Sequence, residues 1–184
     1  MKIANPQGKG VVSLFNEWHA PLMINDQRSF QTLTKEYILS LLVLSAKFKF
    51  RPVPNSQYYL YLQNAELIMT LIEPEKSGKR FGHFLGSCHL LPTLTWHVNF
   101  AEEYATNPEI AGFLHNFYTG FEAHHQQDTN LIDLLPFFEE SLPFYARMYA
   151  NGLAKSIEQG MQQIGASQVT APELLAHSSV KLLG

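Results

Sequence analysis

Three short stretches decide the reading of this chain: Ser45-Ala46-Lys47-Phe48-Lys49-Phe50-Arg51-Pro52, then Gln57-Tyr58-Tyr59-Leu60-Tyr61-Leu62, then Leu67-Ile68-Met69-Thr70-Leu71-Ile72. The second and third are β-rich runs separated by Gln63-Asn64-Ala65-Glu66, which has the length and polarity of a hairpin loop. Glu73-Pro74-Glu75-Lys76-Ser77-Gly78 is turn chemistry and leads into a third run over residues 81–91, so the pattern is a three-stranded antiparallel meander. Three strands alone leave an apolar face uncovered. The cover stands just upstream, where Leu33, Tyr37, Ile38, Leu41, Leu42 and Leu44 recur at three- and four-residue steps and predict a helix over residues 30–47. Phe48 and Phe50 alternate with Lys47, Lys49 and Arg51, and Pro52 and Pro54 make this stretch an extended connector.

The chain changes character at Asn99. Asn99 with Glu102 fits a capping box, and Asn107-Pro108-Glu109 fits a stronger helix start, with a cap, a proline in the first turn and an early acid. Ile110, Phe113, Leu114, Phe117, Tyr118 and Phe121 follow at helical spacing. Apolar positions from Leu131 to Met161 continue the helical pattern, with Pro136 and Pro143 expected to kink or divide it. Thr170-Ala171-Pro172-Glu173 opens a short last helix carrying Leu174, Leu175 and Leu182. At the other end, Asn5-Pro6-Gln7-Gly8-Lys9-Gly10 is an arm or loop; Val11 follows Gly10 where a phosphate loop needs lysine.

The fold class read from these patterns is α+β: a helix packed on a three-stranded antiparallel meander, followed by a C-terminal helical half. The expected division is an N-terminal arm plus α/β-meander unit at residues 1–98 and a helical half at residues 99–184 docked on it. Charge divides at the same place, with +4 over residues 1–98 and −7 over residues 99–184. The plainer explanation of this asymmetry is mutual attraction of the two halves within one fold. A chain of 184 residues with 46% hydrophobic residues can bury a core. The longest apolar run, residues 37–46, is too short to span a bilayer, and residues 1–6 lack the apolar centre of a secretion signal. A single cysteine, Cys88, leaves no intramolecular disulfide, so a cytoplasmic location is expected.

The Lys-Phe alternation of residues 47–51, the tyrosine-rich strand, the acid-proline turn at Glu73-Pro74, the sequence Phe84-Leu85-Gly86-Ser87 and Trp96 together resemble the uncharacterised domain-of-unknown-function family 2452 over residues 45–98. The resemblance implies a fold unit. It implies no activity, because that family has no established chemistry.

Eight histidines raise the question of metal. Glu122 and His125 are three apart on a predicted helix, with His124 adjacent, but carboxylate-bridged sites need a second such pair and none exists. Glu102, Glu103, Glu139 and Glu140 could supply further carboxylates, although exposed acids at helix starts and ends are the ordinary alternative. His83 and His89 should share a face of the third strand, with His97 near them, yet no compact ligand spacing supports a site. Cys88 has apolar neighbours in Leu85, Leu90 and Leu91 that should keep its thiol protonated and inert. Nucleophile elbows, HExxH sites and dinucleotide fingerprints are absent. No catalytic residue, resident metal or cofactor is therefore assigned.

The residues proposed to meet a partner are Lys76, Lys79 and Arg80 in the turn, with Tyr59, Tyr61 and Trp96 close by in sequence. Such a set could hold single-stranded nucleic acid by phosphate contact and base stacking. Three basic groups and a pI near 6.2 weigh against that, and alternating tyrosines on a sheet normally put one row in the core. The leading function is a non-enzymatic protein-binding or scaffold module with an unidentified protein partner and no membrane. The alternatives are a single-stranded nucleic-acid binder and a metal-dependent enzyme in the helical half.

Overall fold

The first helix is apolar on nearly every side, and the fold is arranged around it. The structure, a computed structural model, describes residues 27–178 apart from Phe138; the opening arm at residues 5–10 and the apolar position Leu182 lie outside the described residues. Helix α1 (Phe30–Leu44) is capped by Ser29, whose side chain accepts from the Thr32 amide at 3.1 Å. It buries Leu33, Tyr37, Ile38, Leu39, Leu42, Val43 and Leu44 together with Thr34 and Ser40. A helix with so little polar face belongs in an interior.

The helix stops three residues before the expected Lys47. Lys47 donates its amide to the Leu67 carbonyl at 2.7 Å and accepts from the Met69 amide at 3.0 Å, so the start of the Lys-Phe alternation runs parallel to a strand edge. The edge is thereby covered against pairing with other chains.

The sheet has four strands, β1 (Gln57–Gln63), β2 (Glu66–Thr70), β3 (His83–Leu90) and β4 (Trp96–Phe100), in the order β2-β1-β3-β4, and every pair is antiparallel. The three expected strands are present and antiparallel, but β1 lies between β2 and β3, so β3 crosses to the far side of β1 instead of following β2 as a meander would, and β4 adds a fourth strand beyond β3. Asn99, expected to cap a helix, lies within β4, and a 3-10 turn (Glu102–Ala105) follows instead. The hairpin between β1 and β2 turns on Asn64 and Ala65, both at positive φ (52° and 60°), as a tight two-residue turn requires.

Tyr58, Leu60, Leu62, Leu67, Met69, Cys88, Leu90, Trp96 and Val98 form the buried face. One irregularity reverses the expected geometry of β3. The register shifts opposite Leu60 and Tyr61, where Leu85 is the extra residue of a bulge. An extra residue inverts side-chain parity. His83 therefore stands opposite Leu62 on the core side, whereas His89 stands opposite Gln57 on the other face, and the two do not share a face. Gly86 beside the bulge has no alternative residue, since a Cβ there would collide with the backbone of Asn99 and Phe100 on β4.

On the outer face the segment of residues 71–82, with the single helical turn α2 (Pro74–Ser77), folds over Tyr61. The Tyr61 hydroxyl donates to the Ile72 carbonyl at 2.8 Å, and its ring lies 5.4 Å from both Phe81 and Phe84.

Helix α3 (Pro108–His125) begins as its sequence indicates, with the Asn107 side chain accepting from the Glu109 and Ile110 amides at 2.9 and 3.3 Å. The long helical pattern after Asp128 is divided by its prolines into a 3-10 turn (Leu131–Leu134), a non-helical stretch, and α4 (Phe144–Gln163) beginning directly after Pro143. Thr170 and Glu173 form a reciprocal cap at the start of α5 (Ala171–Ser178).

Ala150, Leu153, Ala154, Ile157 and Met161 of α4 join the sheet and α1 in one continuous cluster with Ile110 and Leu114 of α3 and Leu174 of α5. The ion pairs Arg28–Glu36, Lys47–Glu66 and Lys76–Glu73 lie within the first half of the chain, and a contact between the His83 ring and the Glu109 carboxylate crosses to the second. Apolar packing dominates the seam between the halves.

Candidate functional site

The hairpin end of the sheet, the tail of α1 and the first turns of α3 enclose a cleft of about 700 Å³, within the ~300–1,000 Å³ range of ligand sites. Its floor is apolar: Leu62 and Leu67 come from β1 and β2, and Phe113 and Phe117 stand half-buried on α3. The i, i+4 spacing of the two phenylalanines puts both rings on the face of α3 that looks at the hairpin. The rim carries Ser45, Lys47, Glu66, Glu109 and Asn116, all exposed. Lys47 and Glu66 are paired across the rim at 2.5 Å. Glu109 reaches the imidazole of His83 at 3.4 Å, and the other nitrogen of that ring stands 3.1 Å from the Asn107 side chain.

Gly112 forms part of the α3 wall. A glycine in the middle of a helix costs roughly 0.5–1 kcal/mol relative to alanine. Gly160 on α4 is explained by packing, because a Cβ there would meet Leu33 at 2.5 Å and Arg28 at 3.0 Å. Gly112 has no such reason, since a Cβ there meets nothing within 4 Å. Its effect is to leave the helix backbone open to close approach from the cleft.

A second pocket of about 230 Å³ lies between α1, the end of α3 and residues 134–142. Tyr37 and His125 are at its floor, and His124 and Glu139 line it. His125 is 1% exposed and stacks on Phe121 with ring centroids 4.1 Å apart. Its Nδ1 lies 2.9 Å from the Phe121 carbonyl, which can only accept, so Nδ1 carries the proton. Nε2 then accepts from the Tyr37 hydroxyl at 3.0 Å. Both ring nitrogens are committed within the protein, which removes the half of the Glu122–His125 pair that a metal would need most. Among the described residues, no group of three or more metal-ligating side chains converges.

Burial lowers the pKa of His125 below the ordinary 6.5, outweighing the Phe121 carbonyl contact that raises it. Below pH 6.5 the unfolded chain binds a proton at this residue before the folded protein does, so stability rises with pH through that window and is lost as pH falls. Urea midpoints between pH 7.5 and 5 are expected to fall, and His125→Gln should flatten that decline. An equally steep decline in the variant would contradict the assignment.

The proposed partner-contact residues are dispersed. Trp96 is 1% exposed and Tyr61 equally buried, so neither presents a surface; each has a core or a covering loop to fill. Tyr59 is half-buried on the outer face beside Phe84. Lys76 pairs with Glu73 at 3.1 Å, the Arg80 guanidinium lies 5.2 Å from the centre of the Phe81 ring, and Lys79 is exposed. A row of exposed aromatic platforms beside the basic turn is therefore missing. Burial pushes the Cys88 thiol up to about 12, as its apolar neighbours suggest, and its Sγ lies 3.8 Å from the Met69 sulfur.

The cleft has no local signature in the sequence. Phe113, Phe117, Leu62 and Leu67 were visible as apolar positions, and only tertiary packing shows that they meet around a void. No helix among the described residues is long and apolar enough to cross a membrane. No family model matches the chain, and comparison with curated proteins and with solved structures finds no match.

Proposed function

We propose that this chain is a non-enzymatic binding module, and that the cleft between the β1–β2 hairpin and α3 holds a short extended segment of a partner protein. The observation that carries the reading is the makeup of that cleft: an apolar floor under a rim in which eight of the twelve lining residues are exposed. A small-molecule site buries most of its ligand, whereas an open trough of this kind takes one or two side chains of a larger molecule. Gly112 lets a peptide backbone approach the helix, the Asn116 amide can donate to and accept from it, and Glu109 offers a carboxylate to a cation beside the anchored apolar side chain. No histidine or cysteine lines the cleft. We also propose that residues 45–98 belong to the uncharacterised family they resemble, which adds no chemistry to this reading.

The test is selection from a random peptide library on the full chain, followed by binding to Gly112→Trp. A Cβ at Gly112 meets nothing within 4 Å, so a side chain introduced there starts into open space beside the cleft. Enriched peptides should carry an apolar residue next to a basic one, and Gly112→Trp should weaken their binding tenfold or more with an unchanged melting temperature. No enrichment, or equal binding to the variant, would overturn the proposal.

A further inference from the structure

Strands β3 and β4 hold two imidazoles side by side on the sheet face turned away from the core. His89 stands directly opposite His97 in the ladder. Their ring centroids are 5.0 Å apart and the rings are inclined by 32°. The strand neighbours Cys88, Leu90, Trp96 and Val98 point inward and are buried, whereas His97 is exposed and His89 half-buried. Among the described residues, the histidine rings with hydrogen bonds are His83 and His125; His89 and His97 make none.

We propose that His89 and His97 form an exchangeable two-imidazole site for a late first-row divalent cation such as Zn²⁺, with water completing the coordination. The spacing fits. A metal about 2.0–2.1 Å from one nitrogen of a ring lies about 3.2 Å from the centre of that ring, and a tetrahedral angle at the metal then puts two such centres about 5.2 Å apart. The observed 5.0 Å is close to that separation, so the ladder already sets the ring centres at the distance a shared ion needs. The ladder positions both side chains before an ion arrives, which reduces the cost of ordering them. Two protein ligands are fewer than a structural or catalytic zinc site uses, so the ion is exchangeable rather than resident.

Around the pair, Lys35 on α1 acts on His97 more strongly than the opposing Glu36, so a bound cation meets a weak net positive field. From β1, the neutral Gln57 stands opposite His89, and the next pair along the same face is Ser87 with Asn99. Burial, then the neighbouring His89, lowers the pKa of His97, which keeps its lone pair available near neutral pH.

Calorimetric titration of the full chain with Zn²⁺ at pH 7.5 tests this, with His89→Gln, His97→Gln and, as a control, His124→Gln on α3. The wild type should bind one equivalent at the pair. Either substitution in the pair should weaken that binding tenfold or more, and the control should leave it unchanged. Because the ion would tie β3 to β4 only in the folded state, Zn²⁺ should also raise the melting temperature of the wild type and of the control, but not of the two pair variants. Absence of binding by the wild type, or affinity and thermal shift retained in both pair variants, would overturn the proposal.

Discussion

Trp96→Ala is expected to destabilise the protein by about 3–5 kcal/mol, the range for deleting a large buried aromatic side chain. Through its ring, Trp96 joins the sheet to α4. Its ring lies edge-on to Tyr58 of β1 at 6.0 Å and to Tyr149 of α4 at 6.3 Å. Its backbone amide, which the substitution keeps, donates to the Ser40 hydroxyl of α1 at 2.8 Å. Truncation leaves a cavity bounded by tyrosines whose hydroxyls are fixed elsewhere, Tyr58 near the Val53 backbone and Tyr149 on the Pro52 carbonyl, so the walls cannot collapse readily. Trp96→Phe should recover more than half of the loss. Urea unfolding followed by far-ultraviolet circular dichroism checks both, and a loss below about 1.5 kcal/mol for the alanine variant would mean that β4 is not a central connector.

Arg28→Ala is expected to cost about 2–3 kcal/mol, at or below the lower end of the range for breaking a buried pair. The Arg28 side chain is 8% exposed and that of Glu36 16%, so the charge left behind keeps some contact with water. Arg28 donates to Glu36 at 2.7 Å and, from across the fold, to the Ser156 hydroxyl and carbonyl of α4 at 3.2 and 2.8 Å. The Glu36 carboxylate also accepts from Thr95 at 3.1 Å. Removing the guanidinium leaves this carboxylate without its charged donor and takes a donor from the Ser156 hydroxyl and carbonyl. The double variant Arg28→Met with Glu36→Leu should be more stable than Arg28→Ala alone, because it leaves no unpaired charge. If it is less stable, the cost of the single change is lost packing rather than lost pairing.

Local patterning made most of the architecture legible. The period of α1, the polar break between β1 and β2, and the Asn107-Pro108-Glu109 cap each act within a few residues, and each appears in the structure close to its expected position. β4 was also written locally, since Trp96, Val98 and Phe100 alternate with His97 and Asn99. Asn99 and Glu102 offered a competing capping box, and the strand was short enough for that signal to dominate. The orientation of the histidines could not be read. It depends on the single extra residue at Leu85, and that bulge is fixed by the close approach of β4 to Gly86, not by the β3 sequence alone. The cleft was hidden for a related reason: its walls come from residues 45–67 and 108–117, and only the docking of α3 beside the hairpin brings them together.

Amide chemical-shift mapping during titration with a library-selected peptide tests the account of the cleft most directly. Saturable shifts are expected, centred on residues 47, 62–67 and 109–117, with little change at residues 76–80. Shifts centred on the basic turn, or spread without a focus, would contradict it.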